Sequence, residues 1–219
     1  MKQISLLAFL SLYFLVSCTQ DADTVYSCDH SVNTWVKENL IEIQSMKRED
    51  WNSLEEPYKV AVYRAFSLKQ RLDFWHQKLE EVKQLDWSID EMNHIQHVEN
   101  FIDSHIEMLM GHLSDEQADE LELFFYQWQC FAIEQLGWDK KVCVAIAGVG
   151  NKMLDKKGNI QVKKRQSGQK SYGCHCNTGT LSDFCGSAGT CIEVQCDKTI
   201  DGCGWLFTMQ CNGRCSGIR

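Results

Sequence analysis

The stretch SLKQRLDFWHQKLEEVK, residues 67–83, decides the fold class of this sequence. Its first residue, Ser67, is followed three residues later by Gln70, which is the capping-box pattern that begins an α-helix. Apolar residues then recur at intervals of three and four, as they do on the buried face of an amphipathic helix. The segment therefore predicts a helix that packs against other helices.

The same signature occurs twice more along the chain. Ser88 precedes Glu91 and Ser114 precedes Gln117, and each pair is followed by an apolar stripe at helical spacing. A bundle of about five or six helices is therefore predicted over residues 31–154. Residues 32–46 and 55–66 are further predicted helices, and residues 138–154, which are apolar on most sides, are predicted to be a central, buried helix.

The formal net charge of −8 is unevenly distributed. Residues 151–170 contain six lysines and one arginine against one aspartate, whereas residues 171–219 contain three basic and four acidic side chains. The helical part is therefore strongly acidic. Such a charge argues against nucleic acid as a partner.

The first eighteen residues have the pattern of an export signal that ends in a lipid-attachment site. Lys2 precedes an apolar run over residues 4–16, which has the length of a secretory hydrophobic region and is too short to cross a membrane. The following LVSC, residues 15–18, resembles the lipobox of bacterial lipoproteins. It implies a signal peptide over residues 1–17 and an acylated Cys18. The alternative is an ordinary signal peptide with a chance cysteine.

The lipobox also predicts where the protein acts. Residues 18–30 are predicted to be the lipidated cysteine and a polar tether, which would anchor the chain in the bacterial cell envelope, at the outer membrane or the cell surface. The membrane is thus a predicted partner through the N-terminal lipid.

Eight of the twelve cysteines lie in the last 49 residues, 171–219. A segment of this size buries too little surface to fold without covalent links, so four disulfides are predicted. Zinc is the alternative, but the tail has no Cys-x-x-Cys pair and the export signal places it outside the reducing cytoplasm. The connectivity stays open among 105 pairings. The cysteines concerned are Cys174, Cys176, Cys185, Cys191, Cys196, Cys203, Cys211 and Cys215.

Alternation of apolar and polar residues predicts two strands in this tail, over residues 190–196 and 204–210, paired as a hairpin. The other three cysteines lie further towards the N-terminus. If Gly137 is the corner between two antiparallel helices, Cys130 and Cys143 lie nearly level and are a candidate disulfide. Cys28 is a competitor for either of them, and one thiol is left over in each case.

Residues 155–170 are polar, basic and without apolar periodicity, and they are predicted to be an exposed linker. Lys163, Lys164 and Arg165 form a candidate site for trypsin-like cleavage. Cleavage there would release residues 171–219. The alternative is a solvated linker that is never cut.

Four histidines at helical spacing raise the question of a metal site: His94, His97, His105 and His112. No carboxylate or cysteine completes a ligand pattern, and no catalytic triad or carboxylate pair is recognisable. A packing role is favoured for these histidines. The sequence therefore predicts no metal, no cofactor and no catalytic residue.

Short motifs accompany the cysteines of the tail: Cys174-x-Cys176 with Thr178, Asp183-Phe184-Cys185, Cys203-Gly204 with Trp205, and Cys211-Asn212-Gly213. In these motifs the tail resembles the bacteriocin fulvocin C-related family. The resemblance implies an antibacterial peptide that four disulfides hold rigid, and it adds the envelope of a target cell as a candidate partner.

Together these features predict a mainly α protein: a helical bundle followed by a small disulfide-rich module that contains a β-hairpin. The predicted function is that of an exported lipoprotein with a bacteriocin-like C-terminal peptide, acting as an antibacterial precursor or a contact effector, and not as an enzyme. The alternative is a non-toxic cell-surface lipoprotein whose module serves binding or envelope structure.

Overall fold

The three longest helices begin at the three predicted capping boxes. In each box the serine hydroxyl accepts a hydrogen bond from the backbone N–H three residues on, and the side chain at that position accepts one from the serine N–H. At the first box the two distances are 3.3 and 3.1 Å, between Ser67 and Gln70. Local capping therefore fixes where these helices start.

The structure is a computed structural model that describes residues 24–162, 176–178, 190–194 and 199–216. It is mainly helical, with two small antiparallel strand pairs near the C-terminus, which confirms the predicted fold class. No helix among these residues is both long and apolar enough to cross a membrane. The helices are α1 His30–Glu38, α2 Leu40–Ser45, α3 Arg48–Ser53, α4 Glu56–Ala65, α5 Leu68–Lys83, α6 Ile89–Ser104, α7 Asp115–Glu134 and α8 Lys140–Cys143, with a 3₁₀ turn at Ile106–Met110.

The helix predicted over residues 138–154 is shorter than expected. Helix α8 continues only as a π-helical turn over Val144–Gly148. Beyond it the backbone carbonyls are occupied by buried cationic side chains: Arg48 donates to the Gly150 carbonyl at 2.8 Å, and Lys78 donates to the Asn151 carbonyl. These tertiary bonds replace helical ones, and burial lowers the pKa of Lys78 well below its usual value.

The first part of the predicted linker is packed against the helices. Met153 pairs with Ile160 across a turn, and the Lys156 ammonium group lies 2.7 Å from a Glu91 carboxylate oxygen. Burial would raise the pKa of Glu91, but hydrogen bonds from Lys156, the Ser88 backbone and the Trp138 indole together lower it to about 2. The prediction of an exposed linker therefore holds for Lys157, Asn159, Gln161 and Val162 but is wrong for Asp155, Lys156, Gly158 and Ile160. Residues 163–170 lie outside the described ranges.

The four strands pair differently from the predicted hairpin. Strand β1 (Cys191–Glu193) pairs with β4 (Gly213–Cys215), and β2 (Thr199–Cys203) pairs with β3 (Met209–Cys211). Between β2 and β3 the chain forms a 3₁₀ turn at Trp205–Phe207, where a strand was expected. We call residues 199–211 the inner hairpin, and β1 with β4 the outer strand pair.

One continuous core joins the helices to the inner hairpin. Side chains from α3, α4, α5, α6 and α7 pack with those of the hairpin turn, and no boundary separates the two. The largest fully buried aromatic side chains are Trp51, Tyr63, Phe74, Trp75, Phe125 and Trp205. The inner hairpin is therefore part of the helical domain's core, and the prediction of a module independent of the helices is wrong for residues 199–211.

Candidate functional site at the junction of the helices and the inner hairpin

The junction is centred on Asp201, the middle residue of β2. Its two carboxylate oxygens lie 3.2 Å from Arg64 Nε and 2.6 Å from Arg71 Nη1. The three side chains are only 7, 9 and 3% exposed, respectively. We call these residues the Asp201 cluster, which links the tail to α4 and α5 through buried charges.

Further hydrogen bonds complete the cluster. Arg64 also donates to the Asp201 backbone carbonyl from Nη2 at 2.7 Å and from Nε at 3.0 Å. Arg71 donates to the carbonyl oxygens of Leu109 and Arg64, at 2.8 and 2.9 Å. Because the guanidinium donors are used in this way, the desolvation of the charges is compensated by directed bonds.

Gly202 permits this close approach of backbone to helix. Its φ of +98° is in the region that favours glycine, and a Cβ atom there would lie 2.5 Å from Val60 Cγ1 and 2.7 Å from Arg64 Nη2. Any side chain at this position would push β2 away from α4. The contact between Arg64 and the Asp201 carbonyl depends on that closeness.

The turn of the inner hairpin inserts aromatic side chains between the helices. The Trp205 ring stacks on Phe125 of α7 at 4.6 Å between centroids, and Phe207 meets the edges of Tyr63 and Trp75 at 5.0 and 5.4 Å. The Tyr63 hydroxyl donates to the Leu206 carbonyl at 3.3 Å, and burial raises the pKa of that tyrosine.

Two residues of this turn adopt unusual backbone conformations. Leu206 and Phe207 have φ angles of +54° and +59°, which cost non-glycine residues of order 1–3 kcal/mol each. Burial of both side chains offsets this cost, since both are almost fully excluded from solvent. The turn conformation is thus imposed by the helical domain on which it packs.

A cavity of about 170 Å³ lies beside the disulfide of the inner hairpin. The Cys203–Cys211 bridge closes the hairpin, and both sulfur-bearing residues line the cavity with Trp51, Lys59 and Asn151. The Lys59 ammonium group bonds Glu56 at 2.8 Å and lies over the Trp51 ring. The cavity wall therefore combines a disulfide, the face of an aromatic ring and a lysine whose charge is balanced by a neighbouring glutamate.

The second disulfide, Cys176–Cys191, links β1 to a residue that forms a bridge with Gly213 at the start of β4. Cys176 is buried and its N–H donates to the Gly213 carbonyl at 3.2 Å. Ile192, by contrast, is 48% exposed on the same strand pair. The tail thus has an inner half held by the helices and an outer half that presents side chains to solvent.

The predicted site residues have different outcomes. Two disulfides, Cys176–Cys191 and Cys203–Cys211, form within the described residues and confirm disulfide bonding of the tail. Cys215 lies in β4, opposite Cys191 in the strand register. The predicted site residues outside the described ranges are Cys18, Lys163, Lys164, Arg165, Cys174, Cys185 and Cys196.

The candidate disulfide between Cys130 and Cys143 is absent from the described structure, where both side chains are thiols. Cys143 points into the core, and burial raises the pKa of its thiol to about 12. Cys130 is only partly buried, and its hydrogen bond with the exposed Tyr126 raises the pKa of that tyrosine. The prediction required both side chains to face inward, and of the two only Cys143 is buried.

Three of the four histidines, His94, His97 and His105, are engaged in packing or polar contacts, whereas His112 is exposed. His94 is buried and stacks on Trp128 with ring planes 2° apart, and His105 lies 3.1 Å from a Glu120 carboxylate oxygen. Across the described residues no group of three or more His, Cys, Asp or Glu side chains has the arrangement of a metal site.

Arg64, Arg71 and Asp201 were not predicted as site residues. Arg71 carried the only sequence signal, because it lies within the apolar stripe of α5, where a charge needs a partner. Nothing in the sequence identified an aspartate 130 residues away as that partner.

Comparison with known proteins identified no relative of this chain. No family model matches this chain, no curated protein matches it, and no solved structure matches it.

Proposed function

We propose that this protein is an exported, lipid-anchored envelope protein that acts by contact. Its helical domain is the platform, and its disulfide-closed C-terminal segment is the part presented to a target. The observation that carries the proposal is the insertion of the inner hairpin into the helical core through the Asp201 cluster and the Trp205–Phe207 turn. The proposed role is not enzymatic.

This geometry favours presentation over release. To leave the helices, the inner hairpin would have to expose Trp205, Leu206 and Phe207, each of which is worth on the order of 1.5–3 kcal/mol when buried. It would also leave Arg64 and Arg71 without their carboxylate. A cut in the basic segment 163–165 would therefore break the chain without freeing the tail.

The anchoring part of the proposal rests on the N-terminal sequence. The apolar run over residues 4–16 and the LVSC motif support export and acylation of Cys18. The antibacterial part rests on the resemblance of the tail to bacteriocin fulvocin C-related proteins. A tail that stays attached to an anchored body would act on a neighbouring cell only at short range.

A second candidate function is binding without toxicity. The exposed side chain of Ile192 on a disulfide-closed strand pair favours it, since such rigid surfaces lose little entropy on binding. In this case the target would be an envelope component or an external ligand.

A co-culture experiment tests contact action. Cells that display the full-length protein should reduce colony counts of related bacteria when the two are mixed, but not when a filter that passes proteins separates them. Ile192→Asp should abolish the inhibition because it changes the presented surface. Ile41→Asp is the matched control, since Ile41 is 88% exposed on α2 of the helical domain, and inhibition should be unchanged.

Three other outcomes would change this account. Inhibition across the filter would contradict contact action and favour a released peptide. If Ile41→Asp abolished the inhibition and Ile192→Asp did not, the surface that acts on the target would lie on the helices and not on the outer strand pair. Unharmed neighbours in every arm would refute the antibacterial role and leave binding as the function.

A further inference from the structure

A second cavity, of about 230 Å³, lies between α6 and α7. Residues three or four positions apart contribute to it from each helix, so it is bounded by one face of α6 and one face of α7. Five of the six residues that line it carry rings. They are His94 and His97 of α6, and Phe124, Gln127, Trp128 and Phe131 of α7.

The rings of this cavity hold one another in place. The His94 ring stacks on Trp128 with ring planes 2° apart, and on Phe131 at 4.9 Å between centroids. The Trp128 indole N–H donates to the His94 carbonyl at 2.9 Å, and His94 Nε2 lies 2.9 Å from the Trp128 carbonyl. Phe131 is nevertheless 49% exposed. The cavity thus combines a fixed aromatic floor with a ring that is open to solvent.

The two helices that form the cavity are strongly acidic. Helix α6 has four acidic residues and α7 has six, and neither helix contains a lysine or an arginine. Lys83 and Lys156 pair with only two carboxylates of α6. Asp90, Glu120 and Glu134 are exposed, and each lies one helical turn from a residue that lines the cavity. The cavity therefore lies in a negative potential, which attracts cations.

The chemistry of the walls selects among cations. The face of an aromatic ring attracts a cation that lies within about 6 Å of its centroid. A primary ammonium group would also need acceptors for its N–H groups, and among the described side chains that line the cavity none is acidic. A quaternary ammonium group has no N–H to satisfy. Burial lowers the pKa of His94, so at neutral pH its ring adds no positive charge that would repel such a group.

We propose that this cavity binds a soluble quaternary ammonium compound of net positive charge, with its alkylated nitrogen against the aromatic rings. Choline is the simplest probe of this class. The acidic residues around the cavity disfavour compounds that also carry a phosphate, which includes the headgroups of choline lipids. The site belongs to the helical domain, so it does not depend on contact action by the tail.

An NMR titration of the full-length protein, followed through the methyl signals of the ligand, tests the proposal. The protein is kept in a detergent without quaternary nitrogen. We expect choline to bind about tenfold more tightly than 3,3-dimethylbutan-1-ol, which has the same shape with a neutral carbon in place of the nitrogen. Methylammonium and glycerophosphocholine should each bind several-fold more weakly than choline.

Three results with these probes would overturn the proposal. Equal binding of 3,3-dimethylbutan-1-ol would show that the cavity recognises only apolar shape. Equal binding of methylammonium would contradict the preference for an alkylated nitrogen. Tighter binding of glycerophosphocholine would make a lipid headgroup, and not a soluble compound, the ligand.

Two half-exposed aromatic residues of α7 give a matched pair of variants. Phe131→Leu keeps an apolar side chain but removes a ring, so it should weaken choline binding about three- to fivefold. Tyr126→Leu is the control, because Tyr126 is 48% exposed on the same helix and does not line the cavity, and its choline affinity should be unchanged. Equal losses in the two variants, or no choline binding by the wild-type protein, would refute the site.

Discussion

Replacing Asp201 with asparagine is expected to lower the free energy of unfolding by about 3–5 kcal/mol. The substitution keeps the size of the side chain but removes the one carboxylate that Arg64 and Arg71 share. Both buried guanidinium groups would then lose their ion pair with Asp201. Since single domains are stable by about 5–15 kcal/mol, this variant should be near the limit of folding.

Urea unfolding read by the helical circular dichroism signal measures this effect. That signal reports the helices, so a lower midpoint shows that a tail residue stabilises them. Asp73→Asn is the matched control, because Asp73 pairs with Lys69 on the exposed face of α5 and such pairs contribute at most about 1 kcal/mol. Equal losses in the two variants would contradict the role of the Asp201 cluster.

Trp205→Ala should have an effect of similar size, about 3–5 kcal/mol, for a different reason. The Trp205 side chain is fully buried, and its removal leaves a cavity against Phe125 and Trp128 of α7. Neighbouring side chains of a rigid core fill such a cavity only in part, so the lost contacts are not regained.

Thermal unfolding of the full-length chain is the measurement, with Ile192→Ala as the control from the same tail. Ile192 is half exposed, and truncating it should change the free energy of unfolding by no more than about 0.5 kcal/mol. If Trp205→Ala unfolded its hairpin but left the helical transition at its wild-type temperature, the inner hairpin would be a separate unit.

The sequence predicts the helical part of this fold well because its signals are local. Each of Ser67, Ser88 and Ser114 caps the turn that immediately follows it, so a few residues determine each helix start. The short α8 was harder to predict, because its end depends on Arg48 and Lys78, which are distant in sequence.

The residues of the candidate site could not be predicted from the sequence for a similar reason. The density of cysteines in residues 171–219 indicated a self-contained module, and the motif containing Trp205 was assigned to it. In the structure Trp205 and Phe207 are packed in the helical core. The Asp201 carboxylate pairs with the buried positive charges of Arg64 in α4 and Arg71 in α5. Such pairings join residues more than 100 positions apart, which no local pattern records.

Site-specific cleavage between Arg165 and Gln166 tests most directly whether the inner hairpin belongs to the helical core. A protease recognition sequence is inserted there in the full-length chain, and both described disulfides lie on the C-terminal side of the cut. After cleavage, we expect the tail to co-elute with the helical domain in gel filtration without denaturant, and to separate from it in urea. Elution of the tail as a separate small peptide in the absence of urea would contradict the account.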